Sequence, residues 1–207
     1  MNDNTHETIR QIKASFRGRM NGIASKSMSE KGVAYKINWG IPLPELKQIA
    51  GKIEYDYDLV IELWKENIRE CKILATLISA SNPLPEEVAE IWIEDVDNQE
   101  LAEMLAFNTL HLQSYASEIA FRWIATDETY KKICGYAILG RMFTNGSIPD
   151  ARGINELIDQ ASVALRDENA GVRHAAYNCL IKFADVDEEC GDIVKKSMNN
   201  SGIEDFL

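Results

Sequence analysis

Apolar residues recur at intervals of three and four along almost the whole chain, the spacing that places them on one face of a helix. From Glu7 to Met20 the stripe is Ile9, Ile12, Phe16 and Met20, and Ser25 to Gly32 reads as a short helix or turn. Tyr35 to Ile41 is the one stretch with some strand character, but Gly40-Ile41-Pro42-Leu43-Pro44 makes it a loop that enters a helix reaching about Ile53, with Pro44 in the first turn. Asp56 or Asp58 caps a helix carrying Leu59, Leu63 and Trp64, and Arg69 to Ala80, with Ile73, Leu74, Leu77 and Ile78, is predicted to be almost wholly buried. Asn82-Pro83-Leu84-Pro85 resets the chain. Beyond it, helices are predicted over Pro85–Ile93, Asn98–Leu110, Gln113–Ala125, Asp127–Phe143, Asp150–Arg166, Asn169–Ala184 and Glu188–Asn199. The short gaps between them suit antiparallel hairpins, no alternating strand pattern survives, and the predicted class is all-α.

Two stretches add detail. In Trp92 to Leu105, Asp97 and Glu100 suit an N-cap and third-position pair, and Leu101, Met104 and Leu105 supply a buried face. Gln99 and Glu103, four residues apart, share a second face; it is either a site or a solvated surface of an acidic protein. Trp92 precedes Asp97 by five residues and reads as core. Leu165 to Ala176 contains Asp167 followed by Val172-Arg173-His174-Ala175-Ala176. It resembles the D-x-x-x-x-V-R-x-A-A core of a HEAT repeat, whose paired helices stack into an α-solenoid with a concave face. Asn145-Gly146-Ser147-Ile148-Pro149 is a clear stop and start with room for a hinge.

Composition narrows the class. With 207 residues, 45% hydrophobic and 27% charged, the chain can bury a full core. It reads as a single domain, 1–207, of about six hairpins, with an N-terminal arm and last few residues able to be flexible. No run approaches a membrane span and no basic-then-apolar leader opens the chain, so the cytoplasm is expected. Cys71, Cys134, Cys179 and Cys190 form no C-x-x-C pair and are expected as buried free thiols; no metal site or cofactor is expected, and His111 and His174 are isolated.

The formal charge of −11 is unevenly placed. Met1 to Lys36 holds seven basic residues against three acidic, whereas Pro83 to Glu128 holds Arg122 alone against eleven acids. A nucleic acid would therefore be met by the basic arm, Arg10, Lys13, Arg17, Arg19 and Lys26, while the middle of the chain repels polyanions.

The run Trp39-Gly40-Ile41-Pro42-Leu43-Pro44-Glu45-Leu46-Lys47, followed by Leu63-Trp64-Lys65, by Ile68-Arg69-Glu70 with Ile73-Leu74-Ala75, and by Val96-Asp97-Asn98, resembles the DNA alkylation repair family of HEAT-like-repeat glycosylases. The resemblance implies an α-solenoid that cradles duplex DNA and cleaves the glycosidic bond of a cationic N3- or N7-alkylated purine. Such a base is already a charged leaving group. One carboxylate to stabilise positive charge on the sugar and orient water, with aromatic faces around the deoxyribose, then suffices.

Carried onto this chain, the family's N-W-x-x-x-D motif falls on Asn98 to Glu103, with Gln99 at the Trp and Glu103 at the Asp. The family's W-x-R falls on Tyr130-Lys131-Lys132, with Lys132 at the Arg, and its late Trp falls on Asn178, or Tyr177 in the neighbouring register. Lys lacks the bidentate fork of Arg, and Gln lacks the face of an indole. Two functions follow as expectations: a glycosylase homologue whose excision is weakened or altered, or a non-catalytic module binding branched or damaged DNA or a protein. The DNA contacts expected in either case are Lys131, Lys132, Arg173, Tyr177, Asn178, Arg17 and Arg19.

Overall fold

The computed structural model describes residues 3–33, 35–80 and 82–201. Among them twelve α-helices follow in order: α1 Asp3–Phe16, α2 Gly22–Glu30, α3 Leu43–Ala50, α4 Tyr57–Lys65, α5 Arg69–Ile78, α6 Glu86–Glu94, α7 Gln99–Asn108, α8 Ala116–Ile124, α9 Thr129–Thr144, α10 Ala151–Ala164, α11 Ala170–Ala184 and α12 Glu188–Ser201. Short 3₁₀ turns occupy Arg17–Arg19 and Leu110–Leu112. The only extended pairing among the described residues is an isolated bridge between Ile37 and Ile68. The class is all-α, as the apolar spacing predicts. The chain forms two compact units, Met1–Gln113 and Ser114–Leu207. The expected loose end at the last few residues, 202–207, lies outside the described residues.

The first unit is built on α5, which packs against α3, α4 and α7. Its neighbours surround it, and Arg69 through Thr76 are all buried together with Ile78. Leu46 and Ile49 of α3, Leu59, Leu63 and Trp64 of α4, and Leu101 and Leu105 of α7 fill the same core. Each such side chain withdrawn from water contributes about 1.5–3 kcal/mol before chain entropy is charged against it. Asp56 caps α4 by accepting from the Leu59 N–H at 3.0 Å.

The second unit is built on α9, which packs against both α8 and α11. Gly135 is what lets α8 come close: a Cβ there would lie 2.8 Å from Ile124 Cγ2 and 2.9 Å from the Ala120 carbonyl oxygen. A glycine inside a helix costs about 1 kcal/mol relative to alanine, so close packing is the compensation. Phe143 and Phe183 meet at 5.1 Å with rings tilted by 56°. In the HEAT-like stretch, Asn169 caps α11 through the N–H groups of Gly171 and Val172. Val172 and Ala176 point into the core while Arg173 stays exposed.

Two local expectations are corrected. Asn98, not Asp97, caps α7, its side-chain oxygen accepting from the Leu101 N–H at 3.0 Å. The first helix ends at Phe16, and the 3₁₀ turn that follows carries Met20 off the buried stripe, leaving it 59% exposed. The stop at Asn145 is tied: Ser147 N–H reaches Met142 O at 3.0 Å and Gly146 N–H reaches Phe143 O at 2.8 Å, with Gly146 at φ 77°. This pair of bonds is a Schellman closure of α9. All four cysteines are free and buried; burial pushes the Cys71 thiol up to about 12 and the Cys190 thiol up to about 11. No helix among the described residues is long and apolar enough to cross a membrane.

Candidate functional site

The start of α7 divides into two faces one residue apart. Glu100 pairs with Arg69 of α5, whereas Gln99 pairs within its own helix. The Asn98 cap is itself buried, with its amide donating to Asp97 Oδ1 at 2.8 Å and the Tyr35 hydroxyl donating to its oxygen at 3.4 Å. Burial raises the Tyr35 hydroxyl well above the usual phenol range, so it stays a donor at neutral pH. Four residues apart on the free face, Gln99 Nε2 donates to Glu103 Oε1 at 2.7 Å, and both side chains are half-buried. Gln99 and Glu103, the two residues that the sequence resemblance sets at the family's Trp and Asp positions, are thus hydrogen-bonded to each other. That bond uses one carboxylate oxygen of Glu103, and the neighbour on it is an amide without a π-face.

Glu100 belongs to a buried ionic cluster. Arg69, 2% exposed, donates from Nε and Nη2 to the two Glu100 oxygens at 2.8 and 2.7 Å, and from Nη1 to Glu70 Oε1 at 3.1 Å and the Ile41 carbonyl at 2.9 Å. Burial opposes the guanidinium charge, but hydrogen bonds and attraction from Glu100 outweigh it, and its pKa is raised. Glu70, fully buried, accepts from the Trp39 and Ile41 N–H groups, each at 3.2 Å. The 39–41 loop is therefore held by α5, and α5 holds α7. Gly40 completes the arrangement at φ 70°, where a Cβ would lie 2.2 Å from the Asn21 carbonyl oxygen and 2.7 Å from Ser25 N. The W-G-I-P loop thus bears closely on the start of α2, and the I-R-E motif ties that loop and α7 to the buried helix.

Lys72 was not singled out by sequence. Its ammonium lies 4.5 Å from the Trp64 ring centre, and Trp64 stacks on Trp92 at 4.2 Å with planes 3° apart. Trp64 Nε1 donates to Asp95 Oδ2 at 3.1 Å. Burial lowers the Lys72 pKa, with attraction from Asp95 and Asp97 opposing the shift. Lysine inside an otherwise apolar helical pattern was the available signal.

In the second unit, Lys132 donates to Asp167 Oδ2 at 2.9 Å, across a pair in which both side chains are mostly shielded. Asp167 is held below the usual carboxylate range first by the Asn169 backbone N–H and then by Lys132. Arg173 Nη1 donates to the Asp167 and Glu168 carbonyls at 2.7 and 2.9 Å, leaving the rest of an exposed guanidinium toward solvent. Lys131 pairs with Glu128 at 2.8 Å. Asn178 is exposed and its amide meets His174 Nε2 at 2.9 Å, while Tyr177 is half-buried. Of the arm residues, Arg19 reaches the Ser15 carbonyl at 3.0 Å and Glu45 at 3.5 Å, and exposed Arg17 has no ion pair among the described residues. Asp167, the partner that decides what Lys132 can do, was visible only as the first residue of the HEAT-like pattern.

The comparisons with known proteins agree with these motifs. No curated protein matches the chain. A solved structure described as "A new family of proteins related to the HEAT-like repeat DNA glycosylases with affinity for branched DNA structures" matches with a TM-score of 0.79 at 18% identity, over 91% of this chain and 82% of that one. At that identity the likeness shows the fold, an α-helical HEAT-like repeat fold. The family model described as DNA alkylation repair enzyme matches residues 12–192. The chain belongs to the DNA alkylation repair enzyme family.

Proposed function

We propose that this chain binds DNA of branched or damaged structure through phosphate contacts and excises alkylated purines slowly or not at all. The observation that carries this reading is the 2.7 Å bond from Gln99 to Glu103. Excision of a cationic purine needs charge stabilisation at the sugar and an aromatic face beside it. Here an amide stands where the family places the indole and occupies one carboxylate oxygen. Glu also carries its carboxylate one methylene further than Asp, and a misplacement of ~1 Å can cost about a hundredfold in rate. Lys132, at the family's Arg, is engaged by Asp167 and is a point charge without a fork.

The related structure's affinity for branched DNA supports the binding half of the proposal. Arg17, Arg19, Lys131, Lys132, Arg173, Tyr177 and Asn178 are the proposed contacts. The test pairs a base-release assay on duplex containing 7-methylguanine or 3-methyladenine with binding measurements on plain, abasic and branched duplexes. Branched or abasic DNA bound more tightly than plain duplex, without base release, is the expected result. Efficient single-turnover release abolished by Glu103→Gln would instead establish the glycosylase reading.

A further inference from the structure

The first unit carries a groove of about 430 Å³ bordered by α4 and α6, with Thr5 of α1 at one side. The stacked pair Trp64 and Trp92 also lines it. Its walls are two apolar helical ridges: Tyr57 and Ile61, four apart on α4, and Val88 and Ile91, three apart on α6. Ile91 is 62% exposed and Tyr57 40% exposed, although the same two helices bury Leu59, Leu63, Ala89 and Ile93 on their inner faces. An apolar stripe on the outer face of each of two neighbouring helices is what a further packed segment would cover.

The rim decides the chemistry of that segment. Asp58, Glu62 and Asp95 line it against a single base, Lys65, which Glu62 already holds at 2.6 Å. Asp95 receives the Trp64 indole N–H on Oδ2, which fixes its carboxylate at the groove edge with Oδ1 left over. Apolar walls beneath a carboxylate rim suit long cationic side chains, whose methylene stems lie on apolar surface while their heads reach the acids. The same rim repels nucleic acid.

We propose that this groove docks a basic amphipathic segment of a partner protein, with apolar side chains spaced three or four residues apart in the groove and Lys or Arg beside them against Asp58, Glu62 and Asp95. The mode is a helix in a groove. It is independent of DNA binding, which the proposal above assigns to other residues.

Selection from a displayed library of 16-residue peptides, followed by calorimetric titration of the enriched peptides, tests the proposal. The selected sequences should combine Lys or Arg with apolar residues at three- and four-residue spacing. Ile91→Glu should weaken their binding at least tenfold. Asp58→Asn with Glu62→Gln should weaken it severalfold and flatten its salt dependence. Val163→Glu, which changes an exposed apolar residue outside the groove, should leave it unchanged. Acidic or purely apolar binders, binding indifferent to Ile91→Glu, or no enrichment would overturn the proposal. So would concentration-dependent self-association abolished by Ile91→Glu, which would assign the groove to a second copy of the chain.

Discussion

Arg69 grips Glu100 with two parallel hydrogen bonds, 2.8 and 2.7 Å, across 31 residues of sequence. The grip is buried on the Arg side and shares its third nitrogen with Glu70 and the Ile41 carbonyl. Removing one member of such a cluster leaves the others charged and unpaired in a site shielded from water. Arg69→Ala should therefore cost about 3–5 kcal/mol, read as a fall in the urea midpoint at unchanged slope. Arg69→Lys should recover little of it, because one ammonium cannot replace the fork and also reach Ile41. Wild-type stability in Arg69→Lys would show that the bidentate geometry contributes nothing.

Tyr136 is 1% exposed and its hydroxyl has no hydrogen-bond partner among the described residues. A buried hydroxyl that gives up water without a replacement costs about 1–3 kcal/mol. Tyr136→Phe should accordingly leave the melting temperature unchanged or raise it. A clear fall would reveal a partner, such as an internal water, that the hydroxyl needs.

Gly135→Ala tests a different balance. Helix propensity alone favours alanine by about 1 kcal/mol. The new methyl would meet Ile124 Cγ2 and the Ala120 carbonyl oxygen inside 3 Å, and the carbonyl belongs to the backbone of α8. The expected net effect is destabilisation of about 1–3 kcal/mol by overpacking, read in the same urea titration. Stabilisation would mean that α8 and α9 can separate at little cost.

Asp167 sets a pH dependence. Its carboxyl lies below its ordinary value of 3.8, because the Asn169 N–H and then the Lys132 ammonium favour the charged form. A carboxyl with its folded pKa below the unfolded one stabilises the fold above the unfolded value and loses that contribution as pH falls through the folded value. Asp167→Asn should lower stability at neutral pH and flatten its decline below about pH 4. An acid limb identical to wild type would show that the pair is not coupled to folding. Freed from its partner, Lys132 should also contribute more to DNA binding.

Salt titration addresses the phosphate contacts. Binding set by a few Lys and Arg should give a log-log slope of about −0.9 for each phosphate neutralised. Arg17→Ala with Arg19→Ala should weaken binding to every DNA alike, since phosphate contacts carry no base information. Arg17 should dominate, because Arg19 already serves Ser15 and Glu45. Nanomolar binding at physiological salt that survives the double replacement would move the contact surface elsewhere.

The sequence by itself determined the helices and their faces. The spacing of Ile73, Leu74 and Ile78 fixed α5 as buried, the Asn169-to-Ala176 pattern fixed α11, and the four-residue interval fixed Gln99 beside Glu103, because helical periodicity is a local property. A cap at Asp56 or Asp58 was legible for the same reason, and the structure takes Asp56. Tertiary structure decided what each polar group pairs with. Asp97 read as the cap of α7, but Asn98, buried beside Tyr35, takes that place. Arg69 and Glu70 read as family markers, and packing places Glu100 and the 39–41 loop against them; Lys132 reads as a phosphate ligand, and the α10–α11 turn brings Asp167 to 2.9 Å from it. A charge's partner can lie thirty residues away, and its distance is set by how helices pack, which the spacing along one helix does not encode.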